Sequence, residues 1–222
     1  MASRLFRPGL FTNKVNIVTG GGSGIGFGIA QELVQLGSKV VIASRNPERI
    51  ENAVKELGNS CADGGEVVGM VTNIRDRDSV KTMVEATLEK FGQIDGLVNN
   101  GGGQFHSKGF FHDKCFRRLY CFLAEDISQK GFHAVVDTNL YGTWNCINEC
   151  FHQYMKEHGG NIVNIVTINR MGMAGMAHSG AARAAVKNLS QSLGCEWMEY
   201  GVKINNIAPG TVYSPTAQVC TQ

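Results

Sequence analysis

Proline is scarce in this chain, with four among 222 residues, and its seven cysteines contain no Cys-x-x-Cys pair. The cysteines stand at 61, 115, 121, 146, 150, 195 and 220, an odd count without paired spacing. That pattern argues against a disulfide framework and points to free thiols in a reducing compartment. No apolar run approaches the ~18 residues that a membrane helix needs, so no membrane partner is expected. The net charge is only +2, too small to suggest a nucleic-acid partner. Acidic residues are missing from the opening segment: the first is Glu32, while Arg4 and Arg7 stand in "MASRLFRPGLFTNK". A mitochondrial leader has that bias, but Pro8-Gly9 breaks the segment, so a short lead-in is expected. His106, His112, Cys115 and Cys121 match no standard zinc spacing, and no metal site is expected.

What is present is a regular alternation. Short runs rich in Val and Ile occur at 14–19, 39–44, 66–71, 94–99, 161–166 and 202–208. They are nearly continuous rather than alternating, which predicts strands buried on both faces of a parallel sheet. Between them lie segments of helical period, "IGFGIAQELVQLG", "NPERIENAVKELG" and "RDRDSVKTMVEATLEKFG", each ending at Gly. Asn46 and Pro47 fit the cap and first turn of the second of these. Repeated strand–helix units predict an α/β fold, a Rossmann-type doubly wound parallel sheet, and one domain over 1–222. The stretch from Gln104 to Asp126 breaks the rhythm, being aromatic and basic without a clean period. Loops longer than ~15 residues are uncommon in compact domains, so an insertion is expected here, at 107–123.

The first strand runs directly into "TGGGSGIG" (19–26), which opens a helix. The spacing is neither G-x-G-x-x-G nor a P-loop, but glycines between strand and helix meet the same physical need. They let the chain turn sharply and let a diphosphate approach free N–H groups at the positive end of a helix dipole. A nucleotide site is expected. The second strand ends "ASRNP", with Ser44 and Arg45 where an NAD site would offer an acid to the ribose hydroxyls. A guanidinium suits a 2′-phosphate, which favours NADP(H) over NAD.

Further segments follow in a telling order: "NNGG" (99–102), "TNLYGT" (138–143), "GGNIVNI" (159–165) and "APG" (208–210). With "TGGGSGIG", they resemble the short-chain dehydrogenases/reductases. "IASR", "LVNNGGGQF", "KEHGGNIVNIV" and "AHSGAARAAV" are similar, more narrowly, to peroxisomal trans-2-enoyl-CoA reductases. By that resemblance Thr19, Gly20, Gly24, Ile25 and Gly26 belong to the diphosphate turn. Asn73 and Ile74 match the adenine site, usually headed by Asp rather than Asn. Asn99, Asn100 and Gly101 match the segment beside the cofactor ribose, where Ala is usual at the third position. Pro209, Gly210 and Thr211 match the turn flanking the nicotinamide amide.

The resemblance also implies Ser, Tyr and Lys at the reacting centre, with an Asn from the preceding helix. Asn139 is that Asn, and Thr167 stands at the Ser position. Ser179 falls where Tyr should be and Arg183 where Lys should be, an i,i+4 pair on one helix face. The enoyl-CoA reductases share this absence and carry a tyrosine further along the same helix. Here that position is Lys187, with Gln191 four residues later, so the role does not carry over. Reducing a ketone makes an alkoxide that needs a strong proton donor at once. Reducing an α,β-unsaturated thioester makes a delocalised enolate, which hydrogen bonds from Thr167, Ser179 and Arg183 could hold. The expected reaction is therefore NADPH-dependent reduction of trans-2-enoyl-CoA in fatty acid metabolism. The alternatives are a 2,4-dienoyl-CoA or carbonyl reductase, or a nucleotide-binding isoform without turnover.

The resemblance further implies an acyl-CoA substrate and a homo-oligomer pairing through helices at 129–158 and 181–200. Relatives continue beyond the "APG" turn, so a missing C-terminal edge strand is expected. A peroxisomal location is implied as well, although the final "CTQ" is unlike S-K-L, which leaves the cytosol open.

Overall fold

The computed structural model describes residues 6–103, 124–210 and 212. The insertion expected at 107–123 and the cofactor residue Thr211 lie outside the described residues. Six strands form one parallel sheet: β1 (Val15–Thr19), β2 (Lys39–Ser44), β3 (Glu66–Val71), β4 (Gly96–Asn99), β5 (Gly160–Ile165) and β6 (Val202–Ile207). Their order is β3-β2-β1-β4-β5-β6. The chain thus reverses direction across the sheet between β1 and β4, the crevice where such sheets bind ligands. Thr19 pairs with Asn99, and Asn99 with Asn164, so three polar strand ends lie side by side at that crevice.

Two helices cover one face. These are α1 (Gly24–Gln35) and α2 (Pro47–Gly58), whose apolar stripe packs Ala30, Val34, Ile50, Ala53 and Leu57 on Val18, Val40 and Ile42. Three helices cover the other. They are α3 (Arg77–Phe91), a long helix α4 over 129–158, and α5 (Ala177–Glu196). On that face Val80, Val84, Ile147, Phe151, Met155 and Leu193 meet Ile17, Val41, Leu97 and Ile162. Neighbouring residues of β1 therefore serve opposite cores, Ile17 one and Val18 the other, which is why the central runs read as continuous. Each such side chain, once fully buried, contributes about 1.5–3 kcal/mol.

The outer strands depart from that reading. β3 is only partly buried along its length, and β6 alternates between covered and exposed, because each has a neighbour on one side only. Among the described residues β6 pairs with β5 alone, and Ile207 at its end is half exposed. The helix ends also differ from the simple rule. Gly92 closes α3 in the left-handed region (φ 73°), whereas Gly58 is the last residue of α2 and the cap is Asn59 in a right-handed conformation.

Helix α4 contains two wide turns, Asp137–Tyr141 and Phe151–Met155. Such π-type turns shift the helical face locally and occur often at functional sites. The first of them carries Asn139, whose carbonyl accepts the Thr143 hydroxyl at 2.9 Å.

Candidate active site

The glycine turn is locked to the loop after β4. The Thr19 hydroxyl accepts the backbone N–H groups of Asn100 (3.1 Å) and Gly101 (2.9 Å) and lies 3.3 Å from the Val98 carbonyl. Asn100 answers by donating Nδ2 to the carbonyls of Thr19 (3.2 Å) and Gly20 (3.4 Å). That close approach dictates the glycines. A Cβ on Gly20, which has φ 67°, would lie 2.8 Å from Asn100 Nδ2. A Cβ on Gly26 would collide with the same atom and with the Gly20 carbonyl.

The turn delivers α1 with its N-terminus uncapped. Ser23 occupies the cap position, yet its side chain makes no capping bond. By contrast, Asn46, Asp76 and Ser128 cap α2, α3 and α4 through their side chains. The first turn of α1 carries no acid, so its free N–H groups face the crevice without an internal partner. A diphosphate fits that cradle in charge and in space.

The adenosine side is built from loops. Ile74 fills the space beside Gly101 and Gly142; a Cβ on Gly101 would lie 2.9 Å from Ile74 Cδ1. The tight fit leaves no room for a side chain at Gly101 with Ile74 in this position. Asn73 is exposed, and its Oδ1 accepts the Arg75 N–H at 3.3 Å, closing a local turn. Ser44 ends β2 half-buried, and Arg45 is exposed at the rim. Ile25 is half-buried at the start of α1. Pro209 is half-buried and Gly210 exposed just beyond β6.

The expected reacting residues converge only in part. Asn139 is almost fully buried, and both ends of its carboxamide hold Gly103. Its Oδ1 accepts the Gly103 N–H at 2.9 Å, and its Nδ2 donates to the Gly103 carbonyl at 3.2 Å, with the Ser179 hydroxyl at 3.5 Å. Arg183 is 8% exposed and donates Nη1 to the Ile165 carbonyl at 2.8 Å. Its Nη2 lies so close to Gly102 that no side chain could stand there. Among the described residues no carboxylate pairs with it. Burial pulls its pKa down to about 10, which still leaves it charged at neutral pH. Thr167 stands apart: its hydroxyl is directed at Met173 Sδ, 3.7 Å away, and it makes no hydrogen bond to Asn139, Ser179 or Arg183.

Sequence reasoning missed three features. His178, beside Ser179, is 2% exposed, with Nδ1 unpartnered among the described residues and its ring 6.4 Å from Phe132. Burial lowers its pKa below the ordinary 6.5. A buried polar string also runs under the crevice: Asn99 Nδ2 donates to Asn164 Oδ1 (2.8 Å), and Asn164 Nδ2 to the Ser190 hydroxyl (2.9 Å). Ser190 Oγ reaches Asn206 Oδ1 at 2.9 Å, while Asn99 Oδ1 has no partner. Gly102 and Gly103 are the third feature, and there the run "NNGGG" was the available signal.

Comparison with known proteins agrees with this geometry. A family model described as short chain dehydrogenase matches residues 14–222. Peroxisomal 2,4-dienoyl-CoA reductase of Danio rerio is 34% identical over 211 residues, which are 95% of this chain and 65% of that protein. The chain thus spans just under two thirds of that relative's length. Among solved structures, the citronellol catabolism dehydrogenase AtuB of Pseudomonas aeruginosa PAO1 superposes with a TM-score of 0.81 and 41% identity, over 93% of this chain and 77% of its own. An actinorhodin polyketide ketoreductase solved with NADPH gives a TM-score of 0.82 at 27% identity, over 95% of this chain and 76% of its own. The chain belongs to the short chain dehydrogenase family and is related to its enoyl-CoA reductases.

Proposed function

We propose that this chain reduces the carbon–carbon double bond of an unsaturated acyl-CoA with NADPH, its substrate being a trans-2-enoyl-CoA. The observation that carries this is the buried cluster of Asn139, Ser179 and Arg183: a fixed cation and a hydroxyl beside the crevice, with no tyrosine between them among the described residues. In this reading Thr19, Gly20, Gly24, Ile25 and Gly26 hold the diphosphate, and Ser44 and Arg45 take the ribose phosphate. Asn73 and Ile74 flank the adenine, Asn99, Asn100 and Gly101 border the second ribose, and Pro209, Gly210 and Thr211 lie at the nicotinamide. NADPH, when bound, supplies the hydride.

The chain's own groups do the rest. Arg183 and Ser179 hold the thioester oxygen as negative charge develops on it; Thr167, expected as a further donor, is left out because its hydroxyl is turned to Met173. One such donor is typically worth about 2.7–4 kcal/mol. Arg183 stays protonated at neutral pH, because its pKa of about 10 is still well above it, so it stabilises charge without giving up a proton. The α-carbon is then protonated from water. Asn139 acts as a positioning residue, since its carboxamide fixes Gly103, the neighbour of the Gly102 on which Arg183 lies. An alkoxide from a ketone would need a proton at once, which this cluster does not offer.

A second reading, a 2,4-dienoyl-CoA as substrate, is favoured by the activity for which the Danio rerio relative is named. It uses the same cluster, because hydride addition again leaves charge on the thioester oxygen. A peroxisomal site of action and pairing of copies through 129–158 and 181–200 belong to the same proposal.

The test is to give the purified protein NADPH with each acyl-CoA and analyse the products by mass spectrometry. Saturated acyl-CoA from the trans-2-enoyl substrate is the expected result. Product from the dienoyl-CoA alone would favour the second reading, and nucleotide binding without product from either would overturn the enzyme.

A further inference from the structure

We propose that Ser190 is a positioning residue for Arg183: through a row of three asparagines it sets the register of α5 on the sheet, and with it the place of the guanidinium beside the crevice. What Arg183 does there rests on the reading above; how it is held does not. The starting observation is the buried stripe of α5. Ser179, Arg183, Val186, Ser190 and Leu193 follow at helical spacing, and each is at most 8% exposed. Three of the five are polar, although a helix lying on a sheet calls for apolar residues on that face. Ser179 and Arg183 belong to the cluster at the crevice. Ser190 stands seven residues beyond Arg183, about 10.5 Å along the axis, too far to touch a group that both of them hold. Its buried hydroxyl needs another use.

Its partners supply one. Asn99, Asn164 and Asn206 are paired neighbours on β4, β5 and β6, forming one row across three strands. Ser190 Oγ accepts the Asn164 Nδ2 group at 2.9 Å, and its single proton is shared between the Val186 carbonyl (2.7 Å) and Asn206 Oδ1 (2.9 Å). Asn99 joins the row through Asn164 at 2.8 Å. Both contacts of Arg183 hang from that row. Ile165, whose carbonyl accepts Nη1 at 2.8 Å, follows Asn164, and Gly102, beside Nη2, is three residues beyond Asn99. Strand β5 thus holds α5 at two side chains that stand two helical turns apart. An apolar stripe could slide or roll on the sheet at little cost, whereas directed hydrogen bonds select one register. Removing the hydroxyl leaves Asn164 Nδ2 buried without its acceptor, and repairing that loss moves the elements that seat Arg183.

Ser190→Thr and Ser190→Val test this, because they add the same bulk and differ in the hydroxyl. Three quantities are measured: kcat with NADPH and the acyl-CoA that the wild type reduces, NADPH affinity by calorimetry, and the rate at which phenylglyoxal labels Arg183, followed by peptide mass spectrometry. Relative to Ser190→Thr, Ser190→Val should lose roughly tenfold to a hundredfold in kcat, the usual effect of a small misplacement at a reacting centre. NADPH affinity should stay within about twofold, and Arg183, shielded in the wild type and in Ser190→Thr, should be labelled several-fold faster in Ser190→Val. Equal kcat and equal labelling in the two variants would overturn the proposal. A parallel loss of kcat and NADPH affinity would overturn it too, as the mark of general loosening. Faster labelling in Ser190→Val beside a wild type that reduces no acyl-CoA would uphold the positioning and overturn the enzyme reading alone. Where the added methyl prevents both variants from folding, Ser190→Ala against the wild type makes the same comparison.

Discussion

The two halves of the crevice are built on different principles. On the β1 side, the glycine turn and the loop after β4 interlock through backbone atoms: Thr19 and Asn100 hold main-chain groups, and Gly20 and Gly26 leave room for them. On the β5 side, the work falls to individual side chains, Ser179 and Arg183 on α5 and Asn139 on α4. A backbone-made site tolerates little change, because any Cβ collides. A side-chain-made site can be rewritten while the fold persists. By the resemblance drawn from the sequence, the first half matches the family's glycine turn, whereas the second has Ser179 and Arg183 where a tyrosine and a lysine are expected.

The sharpest way to separate the halves is Arg183→Met. Turnover should fall roughly 100-fold to 1,000-fold, as for loss of an oxyanion donor, with NADPH affinity changing far less. Arg183→Lys should restore part of the rate. Steady-state kinetics and nucleotide titration on the same preparations decide it, and an equal loss in both would mean that the halves are not separable. Gly26→Val attacks the other side. The added carbons meet Asn100 Nδ2 and the Gly20 carbonyl, and overpacking of this kind costs typically 1–3 kcal/mol. NADPH binding should weaken by roughly tenfold to a hundredfold, read by fluorescence titration, in a protein whose circular dichroism is unchanged.

These contrasts explain what was legible in the sequence. Backbone-made features announce themselves, because glycine has few other reasons to stand between a strand and a helix. The turn at 19–26 and the parallel sheet followed from glycines, Val/Ile runs and the family pattern, whereas the strand order appears only in the structure. Gly58 does end α2, as its last residue, but without the left-handed turn that Gly92 makes at the end of α3. The even burial expected of all six strands failed at β3 and β6, since a residue run does not say which strand lies at an edge. Side-chain contacts were less visible. Nothing in "AHSG" marks His178 as buried, and nothing in "NIVNIV" links Asn164 to Ser190 and Asn206. Such pairs are joined by tertiary packing across elements, which local pattern does not encode. Asn139 was legible as a site residue, yet its hold on Gly103 appears only once α4 makes its wide turn.

Smaller effects refine the comparison. Asn139→Ala leaves the Gly103 N–H unpaired, at a cost of about 1–3 kcal/mol in stability. The melting temperature should drop, and the Michaelis constant should rise more than the maximal rate falls. Arg45→Gln should lower the preference for NADPH over NADH several-fold, roughly the worth of one charge-assisted hydrogen bond. The mildest concerns pH. Burial holds the His178 pKa below 6.5, so the unfolded chain takes up more protons as the pH falls through that value. The associated stability is complete above about pH 6.5 and is lost as the pH drops through the lower, folded-state pKa. His178→Phe should therefore flatten the fall in melting temperature on acidification, as followed by thermal denaturation across that range.

The most direct test compares two substrates that differ only in the bond to be reduced. NADPH consumption is measured with a trans-2-enoyl-CoA and with a 3-ketoacyl-CoA of the same chain length. If Arg183 and Ser179 hold an oxyanion with no tyrosine beside them, as among the described residues, the protein should reduce the first and leave the second untouched. Reduction of the ketone at an equal or greater rate would contradict the account.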